Sequence, residues 1–482
     1  MPVDFQCLSV DSGPYVQNMI RAIPLKNNIL ITTEHGSWVN ISREEYNLFK
    51  FGRVEENEEL FTLLEKKGVI ITKNNLKNVA GAYIQRKCHL FQGTSLHIVV
   101  TTLRCNHNCL YCHSKAKPFN IKGYDMDTDT ARSVVDFIFQ TPSNCITIEF
   151  QGGEPLLNFP IIEFIIDYAN KKNRAVKKDL RFSLVTNLTK MDDDIAKMLL
   201  GNKNLGICTS LDGPKEVHNK NRKYLSGRGS YEDVIYWIQR LKEEYRYDRL
   251  NSLLVTTRFS LPYPKEIVEE YLKWDFKYIW SKYVNNLGFA NSVWSKISYT
   301  PEEYFKYWKE MLMHIKQNSN NLIEVSSYVM LKKILADRDP MMTDLQSPCG
   351  AAIGQLAYNQ WGDIYSCDEG KLFDIFKLGN VKKDCYKDVL TSPRVCSIIA
   401  TSTNDIYSSC DICPWKPFCG VCVVCNYATQ GNLIGKLACD FRCNVLKRQF
   451  KFIFEKFLFD ENFRKLFNSW MSKADGLFKY KD

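Results

Sequence analysis

The chain has 482 residues, of which 45% are apolar and 24% charged, a globular composition that can fill a core and excludes a disordered or fibrous chain. Its net charge of +10 is spread along the sequence, which reads as a solvated basic surface rather than a nucleic-acid-binding arm. Met1 to Gln6 lack the pattern of a secretory signal, and the apolar run 161–168 is broken by Glu163 and Asp167, so the expected location is cytoplasmic with no membrane contact.

Residues 28–33 and 37–41 read as two strands around His35-Gly36. Ser42 is the expected N-cap of a helix over 43–51, with Glu45 as its capping-box partner and Gly52 as its stop. A second helix, 56–67, is expected to bury Leu60, Leu63 and Leu64 and to end at Gly68, with a strand at 69–72. These elements make a winged-helix-like module over residues 1–88. Between residues 89 and 340, strands at 96–101, 146–150, 182–186, 206–210 and 253–259 alternate with helices at 130–139, 161–170, 192–200 and 231–244. Such alternation predicts parallel strands with crossover helices, as a barrel or a doubly wound sheet. Helices at 304–316 and 327–336 lead out of this region, and the polar stretch 316–321 reads as a loop. Residues 341–445 are rich in cysteine and short in strands, so metal sites are expected to substitute for a core. From residue 446 a helical tail places Leu446, Phe450, Ile453 and Phe457 on one face, expected to dock onto its own chain.

Eighteen cysteines in a chain without a visible secretory signal point to metal or redox chemistry rather than disulfides. Cys7, Cys88, Cys145, Cys208, Cys385 and Cys396 are scattered and read as small apolar residues. Cys105, Cys109 and Cys112 are spaced Cys-x3-Cys-x2-Cys. Soft anionic thiolates suit an iron-sulfur cluster, and three of them leave one iron of a four-iron cluster open to a small chelator. On spacing alone, zinc completed by His107 or His113 is the alternative. The run follows a strand, so it sits at the C-terminal edge of a parallel sheet, where such folds bind ligands. The next strand ends in Gln151-Gly152-Gly153-Glu154-Pro155. Its paired glycines allow backbone to approach a ligand, and Glu154 can accept from an ammonium group.

With these motifs in this order, the chain resembles the radical S-adenosylmethionine (SAM) superfamily. The resemblance implies an α/β fold with a partial (β/α)6 barrel, and a 4Fe-4S cluster held by Cys105, Cys109 and Cys112. It implies contacts to the SAM amino group from Gly152, Gly153 and Glu154, and to the ribose from Ser183 and Asn187. Ser210 and Arg222 supply further polar contacts, arginine being suited to a carboxylate.

A second field holds Cys349, Cys367, Cys410-x2-Cys413-x5-Cys419-x2-Cys422-x2-Cys425, Cys439 and Cys443. It resembles the SPASM extension of peptide-modifying radical SAM enzymes, which carries one or two auxiliary 4Fe-4S clusters; zinc is the alternative. The resemblance implies ligands Cys349, Cys367, Cys410, Cys413, Cys419, Cys422 and Cys443. These seven are one short of two complete sets, with Cys425 and Cys439 in reserve. That pattern closes with x3, where this chain has x2 to Cys422 or x5 to Cys425. By resemblance to sulfatase-maturing enzymes, Asp368 is expected to take a proton during substrate oxidation. The Cys410–Cys422 run and the residues behind it resemble the His-Xaa-Ser system radical SAM maturase, with Val423 where proline is expected. The implied activity is reductive cleavage of SAM to a 5'-deoxyadenosyl radical and oxidative modification, by crosslinking, of a ribosomally made precursor peptide. The N-terminal module would bind the peptide's leader by strand addition, and a flavodoxin or ferredoxin would supply electrons. The alternatives are sulfatase-maturase-like oxidation of a protein side chain, radical SAM chemistry on RNA or a small molecule, and a non-catalytic zinc-binding interaction protein.

Overall fold

The N-terminal module is built on an antiparallel sheet of β1 (Ile20–Leu25), β2 (Asn28–Thr33) and β3 (Trp38–Ser42), in that order, in a computed structural model that describes residues 14–318, 321–336 and 339–473. Cys7, the first residues of the expected module and the last of the expected tail lie outside the described residues. β1 is additional to the strands expected; Pro24 obscures its pattern and is tolerated because β1 is an edge strand. Ser42 caps α1 (Arg43–Lys50) as its sequence implies: its Oγ accepts from Glu45 N at 3.1 Å, and Glu45 Oε2 accepts from Ser42 N at 2.7 Å. α2 (Glu58–Lys66) buries Leu60 and Leu64, but Leu63 is 37% exposed, against expectation. Leu60 and Leu64 stand one turn apart on the buried face, and Leu63 is rotated off it. The strand expected at 69–72 contracts to Ile70–Ile71, paired with Val16–Gln17, and α3 (Leu76–Arg86) follows.

The middle of the chain forms six parallel strands lying side by side in chain order: β4 (Leu96–Thr102), β5 (Cys145–Gly152), β6 (Asp179–Val185), β7 (Leu205–Ser210), β8 (Leu250–Thr256) and β9 (Tyr278–Tyr283). The crossovers carry α4 (Thr128–Ile138), α5 (Phe159–Val176), α6 (Asp193–Gly201), α7 (Tyr231–Gln239) and α8 (Pro264–Lys273). This is the β/α order of the expected six-stranded partial barrel. Along β5, Ile146, Ile148 and Phe150 enter the main core, so Thr147, Glu149 and Gln151 face the opposite side. α9 (Pro301–Asn318) runs through Lys316 and Asn318, where a loop was expected, and α10 (Val325–Leu335) follows.

The sheet does not stop where the cysteine-rich segment was expected to begin. β10 (Gln355–Tyr358) pairs parallel to β4, and β11 (Asp363–Tyr365) and β12 (Lys377–Asn380) extend it antiparallel. The same segment buries Trp415, Phe418, Val423, Val424 and Leu437, more apolar surface than its loop-like sequence suggests. It contains α11 (Val423–Gln430). The tail is two helices, α12 (Phe441–Phe459) and α13 (Glu461–Lys473), the first capped by Asp440, which accepts from Cys443 N at 2.7 Å.

The tail and the N-terminal module meet. Trp38 of β3 stands edge-on to Phe454, with centroids 5.4 Å apart, and donates to Ile334 O at 2.9 Å. Trp415 stacks on the same Phe454. Two side chains of the module reach the cysteine-rich segment: Arg21 Nε donates to Asp411 O and Thr32 Oγ1 to Pro414 O, both at 2.8 Å. Among the described residues, no helix is long and apolar enough to cross a membrane.

Candidate active site

The loop bearing Cys105, Cys109 and Cys112 leaves the C-terminal end of β4 and is held along residues 221–225. Asn108 N donates to Lys223 O at 2.7 Å, Leu110 N to Asn221 O at 3.0 Å and Leu225 N to Asn106 O at 3.1 Å. Within it, Cys112 N donates to Cys109 O, and His107 N donates to Cys105 Sγ at 3.4 Å. The two histidines weighed as zinc ligands have other partners. His107 Nε2 meets Thr189 Oγ1 at 3.3 Å, and His113 Nε2 donates to Asp368 Oδ2 at 2.9 Å. Burial pushes the Cys109 thiol up to about 11 despite the nearby Arg222, so the metal-free site favours the neutral thiol and a bound metal would favour the thiolate.

The paired glycines serve backbone-to-backbone contact. A Cβ on Gly152, at φ +148°, would lie 2.0 Å from Thr102 O, and one on Gly153 would lie 2.3 Å from Arg104 O. Gly153 N donates to Thr102 O at 2.9 Å and Glu154 N to Arg104 O at 2.8 Å, which fastens the end of β5 to the residues just before Cys105. The Glu154 carboxylate is fully buried and already accepts three bonds, from Leu156 N, Thr186 Oγ1 and Asn187 N. Its hold on any ligand therefore runs largely through the residues it positions. Asn187 in turn donates to Asn106 Oδ1 at 3.0 Å, inside the cysteine loop. Ser183 donates to Glu149 Oε2 at 3.1 Å, and Ser210 is buried at the end of β7.

Arg222 lies beside Cys109. Its Nη1 donates to Tyr111 OH at 2.8 Å, and that hydroxyl donates to Asp212 at 2.8–2.9 Å. Burial raises Asp212 to about 6 against the opposing pull of Arg222. Several buried polar atoms here have no protein partner: Arg222 Nε, Thr209 Oγ1 and His107 Nδ1. Spare donors and acceptors beside three thiols, at the C-terminal edge of a parallel sheet, fit a polar ligand seated on a cluster.

In the second field, Cys410, Cys413, Cys419, Cys422, Cys425 and Cys443 line one partly open pocket, and Cys349 and Cys367 are buried in the adjoining core. Cys439 is exposed. Among the described residues, no three Cys, His, Asp or Glu side chains are grouped to hold a single ion; a four-iron cluster takes one thiolate per iron and does not require convergence on one point. The bond between His113 and Asp368 joins the two fields, because these residues directly follow Cys112 and Cys367. Asp368 also pairs with Lys371. Burial opposes its charge, but Lys371 and His113 outweigh that and hold the carboxyl well below the usual range.

Residues 99–273 match the Radical SAM superfamily. The chain carries a radical SAM domain. It is 27% identical over 379 residues to the cysteine-type anaerobic sulfatase-maturating enzyme of Clostridium perfringens, covering 76% of this chain and 97% of that one. The structure of native anSMEcpe with bound AdoMet superposes with a TM-score of 0.65 at 22% identity, covering 78% of this chain and 99% of that one. Streptococcus suis SuiB bound to its precursor peptide SuiA gives 0.55 at 14% identity, covering 87% and 98%. These two likenesses show a shared fold.

Around the cysteine loop, Tyr111, Asp212, Thr189 and Gly288 were not legible in the sequence. Gly288 sits where a Cβ would lie 2.6 Å from Cys112 O, and Phe289 N donates to that same oxygen. Tyr111 lies inside the Cys-x3-Cys-x2-Cys run and Asp212 two residues after Ser210, but spacing does not name the partners such side chains find. Gly288 has no local signal, because its requirement comes from a loop that is distant in sequence.

Proposed function

We propose that this radical SAM enzyme oxidises a residue of a ribosomally made precursor peptide, using a 4Fe-4S cluster on Cys105, Cys109 and Cys112 and SAM held beside it. The observation that carries this is the set of unpartnered buried donors around those thiols, Arg222 Nε foremost. When bound, the cluster and SAM supply a 5'-deoxyadenosyl radical by one-electron reduction. Arg222, held by Tyr111, presents a cation for the SAM carboxylate. The backbone of Gly152 and Gly153 closes the pocket against Thr102 and Arg104, and Glu154 orients Asn187. The Asp368–His113 pair receives the proton that substrate oxidation releases, and Asp368, held acidic by Lys371 and His113, keeps it only in passing.

Support for a peptide substrate comes from the relatives: the C. perfringens enzyme is named for maturing a sulfatase, and SuiB holds a precursor peptide. Residues 14–88 favour the leader-bearing precursor over the folded sulfatase-like protein, because a sheet of this kind can bind a leader as an added strand. An external one-electron donor such as flavodoxin or ferredoxin completes the reaction. The test is anaerobic reconstitution with SAM and a reductant, together with the peptide of the neighbouring small reading frame. Wild type should release 5'-deoxyadenosine and yield a peptide lighter by about two mass units, the two hydrogens of a two-electron oxidation. The triple variant Cys105→Ala/Cys109→Ala/Cys112→Ala should do neither, and Asp368→Asn should cleave SAM but lose the product. Full peptide product from Asp368→Asn would remove its base role, and SAM cleavage by the triple variant would remove the cluster assignment.

A further inference from the structure

The seven second-field cysteines implied by resemblance leave one auxiliary cluster a thiolate short. We propose that Cys425 is that ligand, so that Cys349, Cys367, Cys422 and Cys425 close one cluster while Cys410, Cys413, Cys419 and Cys443 close the other. This deepens the reading above and rests on it. The cysteines sort by proximity rather than by sequence order. Cys419 lies within electrostatic reach of Cys443, Cys413 and Cys410, and Cys410 within reach of Cys413 and Cys443. Cys367 is instead near Cys422 and Cys349, and Cys349 near Cys422. The Cys419-x2-Cys422 pair, which the sequence reads as one unit, is divided between the two groups.

Helix α11 brings Cys425 into the second group. Cys422 is its N-cap and Cys425 its N3 residue, positions whose side chains lie on the same side of a helix's first turn. Cys425 N donates to Cys422 Sγ at 3.4 Å, and the Cys425 thiol is itself hydrogen-bonded to that sulfur. Cys109–Cys112 and Cys410–Cys413 share the Cys-x2-Cys spacing and are each closed by a turn bond. Arg442 completes the environment: it is buried next to Cys422 and Cys425, with Nε unpartnered, and offsets the negative charge that four thiolates bring to a cluster. A cluster with four thiolates has no open iron, so this one would not bind a substrate atom directly.

The test uses the full chain with Cys105, Cys109 and Cys112 changed to alanine, which leaves only the auxiliary clusters. Reconstituted anaerobically, it should hold about eight irons, four per cluster, and give no three-iron EPR signal after mild ferricyanide oxidation. Adding Cys425→Ala should free one corner iron, so that the same oxidation yields a three-iron signal approaching one spin per chain. Cys425→Ser, closer in size, should do the same if the alanine variant does not fold, and Cys439→Ala should leave the background unchanged. A three-iron signal already present in the background, or a Cys425 variant indistinguishable from it, overturns the assignment. A background with no iron overturns the auxiliary-cluster reading itself, and the assignment falls with it.

Discussion

Glu154 and His97 are both buried titratable groups, and they illustrate two uses of burial. Glu154 accepts three protein donors, so its carboxylate acts as a bracket between the end of β5 and the start of the loop after β6. His97 on β4 is fully buried. Its Nδ1 meets Tyr358 OH at 2.8 Å and its Nε2 meets Thr94 O at 3.3 Å, and burial pushes its pKa down to about 3. The unfolded chain binds that proton at the ordinary histidine range. Between there and about 3, the unfolded state therefore holds more protons than the folded one. This part of the stability is complete above about pH 6.5 and is lost as the pH falls. Urea unfolding between about pH 6 and 5 should show wild type losing about 1.4 kcal/mol per pH unit more than His97→Gln; equal slopes would count against it. The sequence reading treated His97 only as part of an apolar strand, because nothing local tells a buried neutral histidine from a titrating one.

At the scale of elements, the parallel strands were legible where they are continuously apolar, as in β4. Others were hidden. β9 carries Trp280, Ser281 and Lys282 in one run and shows no clean period, while α8 went unread although Pro264, Ile267, Val268 and Tyr271 recur at helical spacing. The end of β5 was legible as a motif, and its reason in part. Gly152 and Gly153 are expected to give room for a ligand, and the structure shows them also making room for the backbone at Thr102 and Arg104. Gly153→Ala would drive a Cβ into Arg104 O, an oxygen that cannot move without moving Cys105. It should lower stability by about 1–3 kcal/mol and, more tellingly, reduce iron bound per chain in the folded fraction. Full iron occupancy with unchanged SAM binding would show that the loop yields more easily than the geometry suggests.

At the scale of the whole molecule, the joints between segments were not legible. β10 adds to the barrel sheet from beyond the expected boundary, and the tail helix α12 packs under the N-terminal module through Phe454 and Trp38. Such contacts join residues hundreds of positions apart, and no window along the sequence contains both partners. Trp38→Ala removes the edge-on contacts to Phe454 and Phe457 and the bond to Ile334 O, at a cost of about 2–3 kcal/mol for this partly buried site. Limited proteolysis should then release a fragment near residues 1–88 earlier than in wild type; an unchanged digestion pattern would argue that the remaining contacts hold the module alone.

Those remaining contacts include Arg21 with Asp411 and Thr32 with Pro414, and the segment from 411 to 414 contains Cys413 and begins one residue after Cys410. The sheet proposed to bind a leader and the loop that carries Cys410 and Cys413 are thus in direct contact. Thermodynamic linkage makes any coupling between them run both ways. If a bound leader changes how readily the neighbouring cluster accepts an electron, the oxidation state of that cluster must change leader affinity by the same factor. Loading and discharge of substrate would then be timed by electron count, with no separate moving part.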